Sequence, residues 1–284
     1  MKYNILTIFS VGIILLIMAF ILMLYLQEEH VLEYDPDLRE DGICILRDAF
    51  TPVELDELIK DCSTDDYKMA KDNIIGNAKL LDTLKKKTGE GYVFHDYIFV
   101  IKKSAIHTCH RDSNGDMFND ILNPSYTMIL FLEDMDKCLA VIPSSHKHKN
   151  SFGYNLKNEV KQVLCKKGDI LLFNASIIHA GSLNEGKPDA LRIQMKFSHK
   201  DDLHLLDYYS NYNKILKEEN TNPFYMKKIH QNASCMVTIL GDSNTDVIKN
   251  NKNVKNDNDI PIQEKIFAYL FYGKSDYYNL PNAF

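Results

Sequence analysis

Three side chains in this sequence have the types and order to hold one metal ion: His110, Asp112 and His179. His110 and Asp112 stand two apart in Thr108-Cys109-His110-Arg111-Asp112. In an extended segment residues at that spacing point the same way, so both can reach one ion from one strand end. His179 closes the run that starts at Gly168-Asp169. Two imidazoles and one carboxylate on one face of an octahedron suit Fe(II) and leave three positions for O2 and substrates. Arg192 follows His179 by 192 − 179 = 13 residues, at the head of Arg192-Ile193-Gln194-Met195-Lys196-Phe197. A guanidinium there can fork onto the distal end of a dicarboxylate.

Each piece has a plain alternative. An isolated His-x-Asp arises by chance, a lone histidine is often structural, and an arginine opening a strand often sits in a surface pair. The ordered set is what argues for chemistry: strand, His-x-Asp, two strands, Gly-Asp hairpin, His, then Arg. Among the rivals, His107 has the opposite strand parity to His110, and Cys109 shares the parity of His107, so neither is expected as a ligand. The tyrosines from Tyr208 onward read as packing.

Short β-type runs are needed to position such a set, and residues 92–199 supply them. They are Tyr92–Ile101, Thr127–Leu132, Leu139–Ile142, Val160–Cys165, Ile170–Phe173 and Leu191–Phe197. Turn signals separate them: Asn114-Gly115, Asn123-Pro124, Lys167-Gly168-Asp169 and Gly186-Lys187-Pro188. This texture indicates a mainly β fold with flanking helices, a double-stranded β-helix (jelly-roll, cupin-like) rather than a βαβ fold. Thr51-Pro52-Val53-Glu54 is a capping box and opens a helix from Pro52 to about Cys62. Leu80, Leu81 and Leu84 mark a second packing stripe. Leu203–Leu216 reads as a helix, Asp242–Asp259 as a loop, and Ile262–Tyr272 as a last helix stopped by Gly273.

The remaining features set the surroundings. Asn4–Leu26 carries no charged residue, and 23 residues at about 1.5 Å each would cover a hydrocarbon core of roughly 30 Å. The sequence therefore predicts a transmembrane anchor over 1–26, a polar stalk over 27–40, the jelly-roll with its N-terminal helices over 41–200, and a helical and looped extension over 201–284 packed on that domain. Lys2 before the apolar run and Glu28-Glu29 after it place the domain on the lumenal side, with Asn232-Ala233-Ser234 as a glycosylation acceptor. A net charge of −6 gives no reason to expect nucleic acid. The six cysteines form no CxxC pair, which excludes a zinc finger or thioredoxin motif and leaves disulfides or buried thiols open.

Pro124–His146, PSYTMILFLEDMDKCLAVIPSSH, resembles the phytanoyl-CoA dioxygenase-like family, in which a strand, an acidic turn and a CL-x-V-x-PGSH segment follow His-x-Asp. Ser144 stands where that family usually has Gly. Gly168-Asp169-Ile170-Leu171-Leu172-Phe173 through His179-Ala180-Gly181-Ser182 is similar to its Gly-Asp hairpin and distal histidine. Gly42–Leu46 with Thr51-Pro52 is similar to its opening strand and helix. The resemblance covers roughly residues 40–200 and neither end of the chain.

It implies iron on His110, Asp112 and His179, and 2-oxoglutarate and O2 as co-substrates. Arg192 would take the 5-carboxylate of 2-oxoglutarate, with Ser182 as a hydroxyl partner. His146 would be structural. The full carboxylate at Asp112 implies hydroxylation of a C–H bond, with succinate and CO2 released, rather than halogenation. The expected partner is a small-molecule or lipid-like substrate, or a protein side chain. A membrane-anchored prolyl- or lysyl-type protein hydroxylase is the alternative enzyme, though those usually hold the oxo acid with Lys. A catalytically silent jelly-roll binding module is the alternative outside catalysis.

Overall fold

The computed structural model describes residues 5–63, 67–103, 106–148, 159–185, 190–206, 212–216, 219–239, 241–242 and 262–273. The chain opens with helix α1 (Ile5–Leu26), the two-residue strand β1 (His30–Val31) and β2 (Ile43–Leu46). Three helices follow: α2 (Pro52–Ser63), α3 (Tyr67–Ile75) and α4 (Ala78–Thr88). α2 begins where the capping box predicts, with Thr51 N donating to Glu54 Oε2 at 2.6 Å and Glu54 N to Thr51 Oγ1 at 3.3 Å. The strands are then β3 (Tyr92–Phe94), β4 (Tyr97–Ile101), β5 (Tyr126–Phe131), β6 (Met135–Val141), β7 (Lys161–Cys165), β8 (Ile170–Asn174), β9 (His179–Gly181), β10 (Arg192–His199) and β11 (Tyr212–Leu216). Helices α5 (Phe224–Met236) and α6 (Ile262–Tyr272) close the described chain.

The strands form two sheets. The smaller has the order β1-β7-β6-β9 and the larger β11-β4-β10-β5-β8-β2, with β3 also on β10. From β5 to β10 the chain passes between them: β5 large, β6 and β7 small, β8 large, β9 small, β10 large. That alternation makes the jelly-roll, and it brings the ends of distant strands together at one site.

Strand periodicity divides the core in two. Met128, Leu130, Ile170, Leu172, Ile193, Met195 and Phe197 face outward from the large sheet onto Leu55 and Leu58 of α2, Ala70 and Ile74 of α3, and Leu80 and Leu84 of α4. Ile129, Phe131, Leu171 and Phe173 face the small sheet with Leu139, Val141 and Val163. The helices thus back the large sheet, and its other face is turned toward the small sheet.

Several expectations are corrected. The apolar run expected as a transmembrane anchor does form α1, but among the described residues no helix is long and apolar enough to cross a membrane. The end of α1 is committed to protein instead. Leu24 is buried, its carbonyl accepts from Asn232 Nδ2 of α5 at 2.7 Å, and the Lys228 ammonium sits 5.7 Å from the Tyr25 ring centroid. The anchor, the single-pass membrane placement and the lumenal orientation built on it are withdrawn together. Asn232, expected as an exposed glycosylation acceptor, is the same half-buried residue on α5.

The segment 27–40, read as a stalk, contains β1, which pairs in parallel with β7, and the buried Leu38. Leu203–Leu216, read as a helix, is instead a 3-10 turn over Lys200–Leu205 followed by β11, which pairs with β4 and extends the large sheet. Sheet pairing outweighs local propensity there. The turn at 186–188 and residues 243–259 lie outside the described residues.

Candidate metal centre

His179 opens β9, and His110 meets it through a two-way backbone bridge: His110 N donates to His179 O at 2.9 Å and His179 N to His110 O at 3.0 Å. Asp112 N donates to Ala175 O at 2.8 Å, which fixes the same segment one step further on. These bonds put one ligand-type atom from each of His110, Asp112 and His179 within 4.8 Å of one another. Asp112 Oδ1 lies 3.8 Å from His110 Nε2 and 3.6 Å from His179 Nε2.

The local hydrogen bonds suit the imidazoles to a cation. His110 Nδ1 is 2.8 Å from Thr108 O, and His179 Nδ1 is 3.0 Å from Ile177 O. A carbonyl only accepts, so each Nδ1 donates and Nε2 is the ring nitrogen on the side of Asp112 Oδ1. Burial pushes the His179 imidazole down to about 4, with Asp112 pulling partly the other way, so it is neutral at physiological pH. Burial alone would raise the Asp112 carboxyl. The Lys196 ammonium outweighs it most, through its charge and the hydrogen bond it donates, and the group is held ionised well below the usual carboxylate range. Two imidazoles and one carboxylate are the donor types a divalent iron site needs.

The other oxygen of Asp112 is occupied. Lys196 Nζ donates to Asp112 Oδ2 at 2.6 Å and to Thr127 Oγ1 at 3.0 Å, and Thr127 Oγ1 also donates to Asp112 Oδ2. Lys196 and Thr127 are both buried and face each other across the β10–β5 register. Burial draws the Lys196 ammonium down while Asp112 favours it. The contact with an ionised carboxylate supplies its counter-charge.

Sequence reasoning missed Lys196. Its signal was the strict alternation Arg192, Gln194, Lys196, Ser198 against Ile193, Met195, Phe197. The polar set of such a strand is ordinarily the solvent face. Here the apolar set packs on the helices, so the polar set faces inward.

Arg192 is on this inward set and is buried, with Nη1 donating to Ala190 O at 2.9 Å. Its Cα stands four residues, or about 13 Å of strand, from that of Lys196. Ser182, just beyond β9, is buried and donates from Oγ to Gln162 Oε1 at 2.7 Å. His146 is outside the ligand cluster, with Nε2 3.2 Å from Arg39 O. His107 is also outside it, and its carbonyl accepts from Gln231.

The second feature missed is a clasp from the C-terminal extension. Cys109, next to His110, is disulfide-bonded to Cys235 of α5, while Cys44, Cys62, Cys138 and Cys165 are buried free thiols. Cys109 N donates to Ser234 Oγ at 2.8 Å, and Arg111 N donates to Asp242 Oδ1 at 3.1 Å. The Arg111 guanidinium pairs with Asp242 Oδ2 at 2.5 Å, with both side chains buried. Gln231 Nε2 donates to His107 O at 3.0 Å and to Gly181 O at 2.9 Å, bridging the two ligand-bearing segments. Gly241 permits this approach: a Cβ there would lie 1.9 Å from Cys109 O.

Comparison with known proteins agrees with the sequence resemblance. Residues 77–189 match the family model for phytanoyl-CoA dioxygenase, a span that contains His110, Asp112, His179 and Ser182 and ends before Arg192. The chain is thus similar to a family of oxygenases, and Fe(II) and 2-oxoglutarate are the cofactor and co-substrate that this match and the donor set call for. No curated protein matches the chain.

Similar solved structures include a non-haem monooxygenase, the ThoJ–nickel complex, at 14% identity, covering 57% of this chain and 75% of that one, with a TM-score of 0.44. HygX from Streptomyces hygroscopicus, with nickel and 2-oxoglutarate bound, is similar at 11% identity, 57% and 84% coverage and TM-score 0.44. AviO1 from Streptomyces viridochromogenes Tue57 is similar at 13% identity, 57% and 91% coverage and TM-score 0.45.

Proposed function

We propose that this non-haem iron oxygenase is a hydroxylase whose Fe(II) is held by His110, Asp112 and His179, and whose 2-oxoglutarate is anchored by Arg192. The observation that carries the reading is the pair of Nε2 atoms, each freed by a carbonyl on its own Nδ1, turned toward one oxygen of an ionised carboxylate. Bound Fe(II) with 2-oxoglutarate and O2 supplies an oxidation in which one oxygen atom enters succinate as CO2 leaves and the other enters a C–H bond. The residues supply placement. The His110–His179 bridge fixes the spacing of the imidazoles, and burial keeps His179 unprotonated. Arg192 shares the inward face of β10 with Lys196, which contacts Asp112, and that placement supports Arg192 as the anchor for the distal carboxylate. Ser182 would join Arg192 by exchanging its bond to Gln162 for one to that carboxylate.

The substrate class supported is a small molecule entering between the sheets. α3 and α4 lie behind the large sheet, and segment 113–124, which follows Asp112 directly, is the candidate rim. The test is release of labelled CO2 from 2-oxoglutarate labelled at C1 by purified protein with Fe(II) and O2. Release that is lost in Asp112→Ala supports the reading. No release from wild type under any substrate mixture would return the chain to a silent binding module.

A further inference from the structure

We infer that Lys196 is a positioning residue that limits Asp112 to one metal-facing oxygen and makes the open side of the metal selective for a chelating anion. The inference rests on the reading of His110, Asp112 and His179 as metal ligands and goes beyond it. Asp112 Oδ1 faces both Nε2 atoms, while Oδ2 is held by Lys196 Nζ and Thr127 Oγ1. A carboxylate fixed through one oxygen in this way cannot rotate to chelate, so it occupies one coordination position and leaves more of the shell to exchangeable ligands. An ammonium carries three N–H donors. Asp112 and Thr127 take two, which leaves the third for an acceptor at the metal.

The electrostatic consequences have opposite signs for the two ligands. A buried ammonium beside the site repels a divalent cation and attracts an anion, and low solvent access keeps both effects large. Lys196 therefore lowers intrinsic metal affinity while raising affinity for an anion at the metal. A residue with a purely structural role would weaken both when removed.

The experiment is a calorimetric titration with Co(II), then of the Co(II)-loaded protein with 2-oxoglutarate, for wild type, Lys196→Met and Lys196→Arg. In Lys196→Met, Co(II) should bind as tightly as in wild type or more tightly. The affinity of the loaded protein for 2-oxoglutarate should fall about ten- to a hundredfold, the usual worth of a charge-assisted contact. Lys196→Arg should keep most of that affinity. The Co(II) absorption spectrum of Lys196→Met should also change on loss of the carboxylate restraint. Co(II) and 2-oxoglutarate affinities that fall together, or a 2-oxoglutarate affinity that does not move, would overturn the inference. Should Lys196→Met not fold, Lys196→Gln is read in the same way, because it also removes the charge. Asp112→Ala is the separate control: if it binds Co(II) as wild type does, the metal-site reading itself fails, and this inference fails with it.

Discussion

His179 sits in β9, laced to β6 through the ladder Val141↔His179 and Ala140↔Ala180. His110 and Asp112 lie on a segment outside the named strands, gripped from 125 and 131 residues away by Ser234 and Asp242 and by the Cys109–Cys235 disulfide. The two segments meet at the His110↔His179 bridge and again where Asp112 N donates to Ala175 O. The His179 side is thus built by the jelly-roll, whereas the His110 and Asp112 side is held by the jelly-roll and, in addition, by a sequence-distant extension. The difference is that Ser234, Cys235 and Asp242 add support to one side of the centre only.

The largest expected effect comes from breaking the clasp at its charged pair. Asp242→Ala removes the carboxylate paired with the buried Arg111 guanidinium, and breaking a buried pair costs about 3–5 kcal/mol. Chemical denaturation should show that loss, and Co(II) affinity should fall with it because Arg111 stands between the two ligands. Undiminished Co(II) affinity in folded Asp242→Ala would separate the clasp from the centre.

Next is the disulfide, whose removal costs about 2–5 kcal/mol in typical cases. A reducing agent should lower the melting temperature of wild type and leave the Cys109→Ala/Cys235→Ala double variant unmoved. An equal response in both would place the effect elsewhere.

A third expectation concerns the large sheet that both sides share. His95 is buried against Ser198, its Nε2 2.7 Å from Ser198 Oγ, and burial with the charge of Lys196 pushes its imidazole down to about 3. In the unfolded chain it would titrate near 6.5. Between those values the unfolded state binds a proton that the folded state refuses. Stability is therefore fully present above about pH 6.5 and falls as pH drops toward 3, at up to about 1.4 kcal/mol per pH unit. His95→Gln should flatten that slope in pH-dependent melting, and an unchanged slope would assign it to other groups.

The smallest effect belongs to the His179 side. There Ile178 N donates to Ser145 Oγ at 2.8 Å, and Ser145→Ala should cost only about 1–2 kcal/mol and leave Co(II) affinity within a few-fold of wild type, because the β6 ladder still holds β9. A large loss of metal binding in that variant would erase the distinction between the two segments.

This difference in support is also why one part of the molecule was legible in the sequence and another was not. The His-x-Asp pair, the Gly168-Asp169 hairpin and the short β-type runs are local patterns, and they mark β4 to β8, β10 and the residues of the candidate cluster, though not β9. The capping box at Thr51 and Glu54 located α2 for the same reason. Pairings across more than a hundred residues carry no local mark: nothing near Cys109 points to Cys235, or near Arg111 to Asp242. Lys196 was hidden differently, because a lysine in an alternating strand reads as solvent-facing until the packing shows that the helices have taken the apolar face. Leu203–Leu216 reads as a helix in the sequence, and β11 forms there because β4 offers an edge to pair with. For α1 the composition suggested a lipid environment, whereas its last turn is held by polar side chains of α5.

The most direct test of the central claim is anomalous diffraction from a crystal soaked with Mn(II) and 2-oxoglutarate under exclusion of oxygen. The account predicts one metal peak bonded to His110 Nε2, His179 Nε2 and a single oxygen of Asp112, with the distal carboxylate of 2-oxoglutarate on Arg192. A metal held by other side chains, or no metal peak between the two sheets, would contradict it.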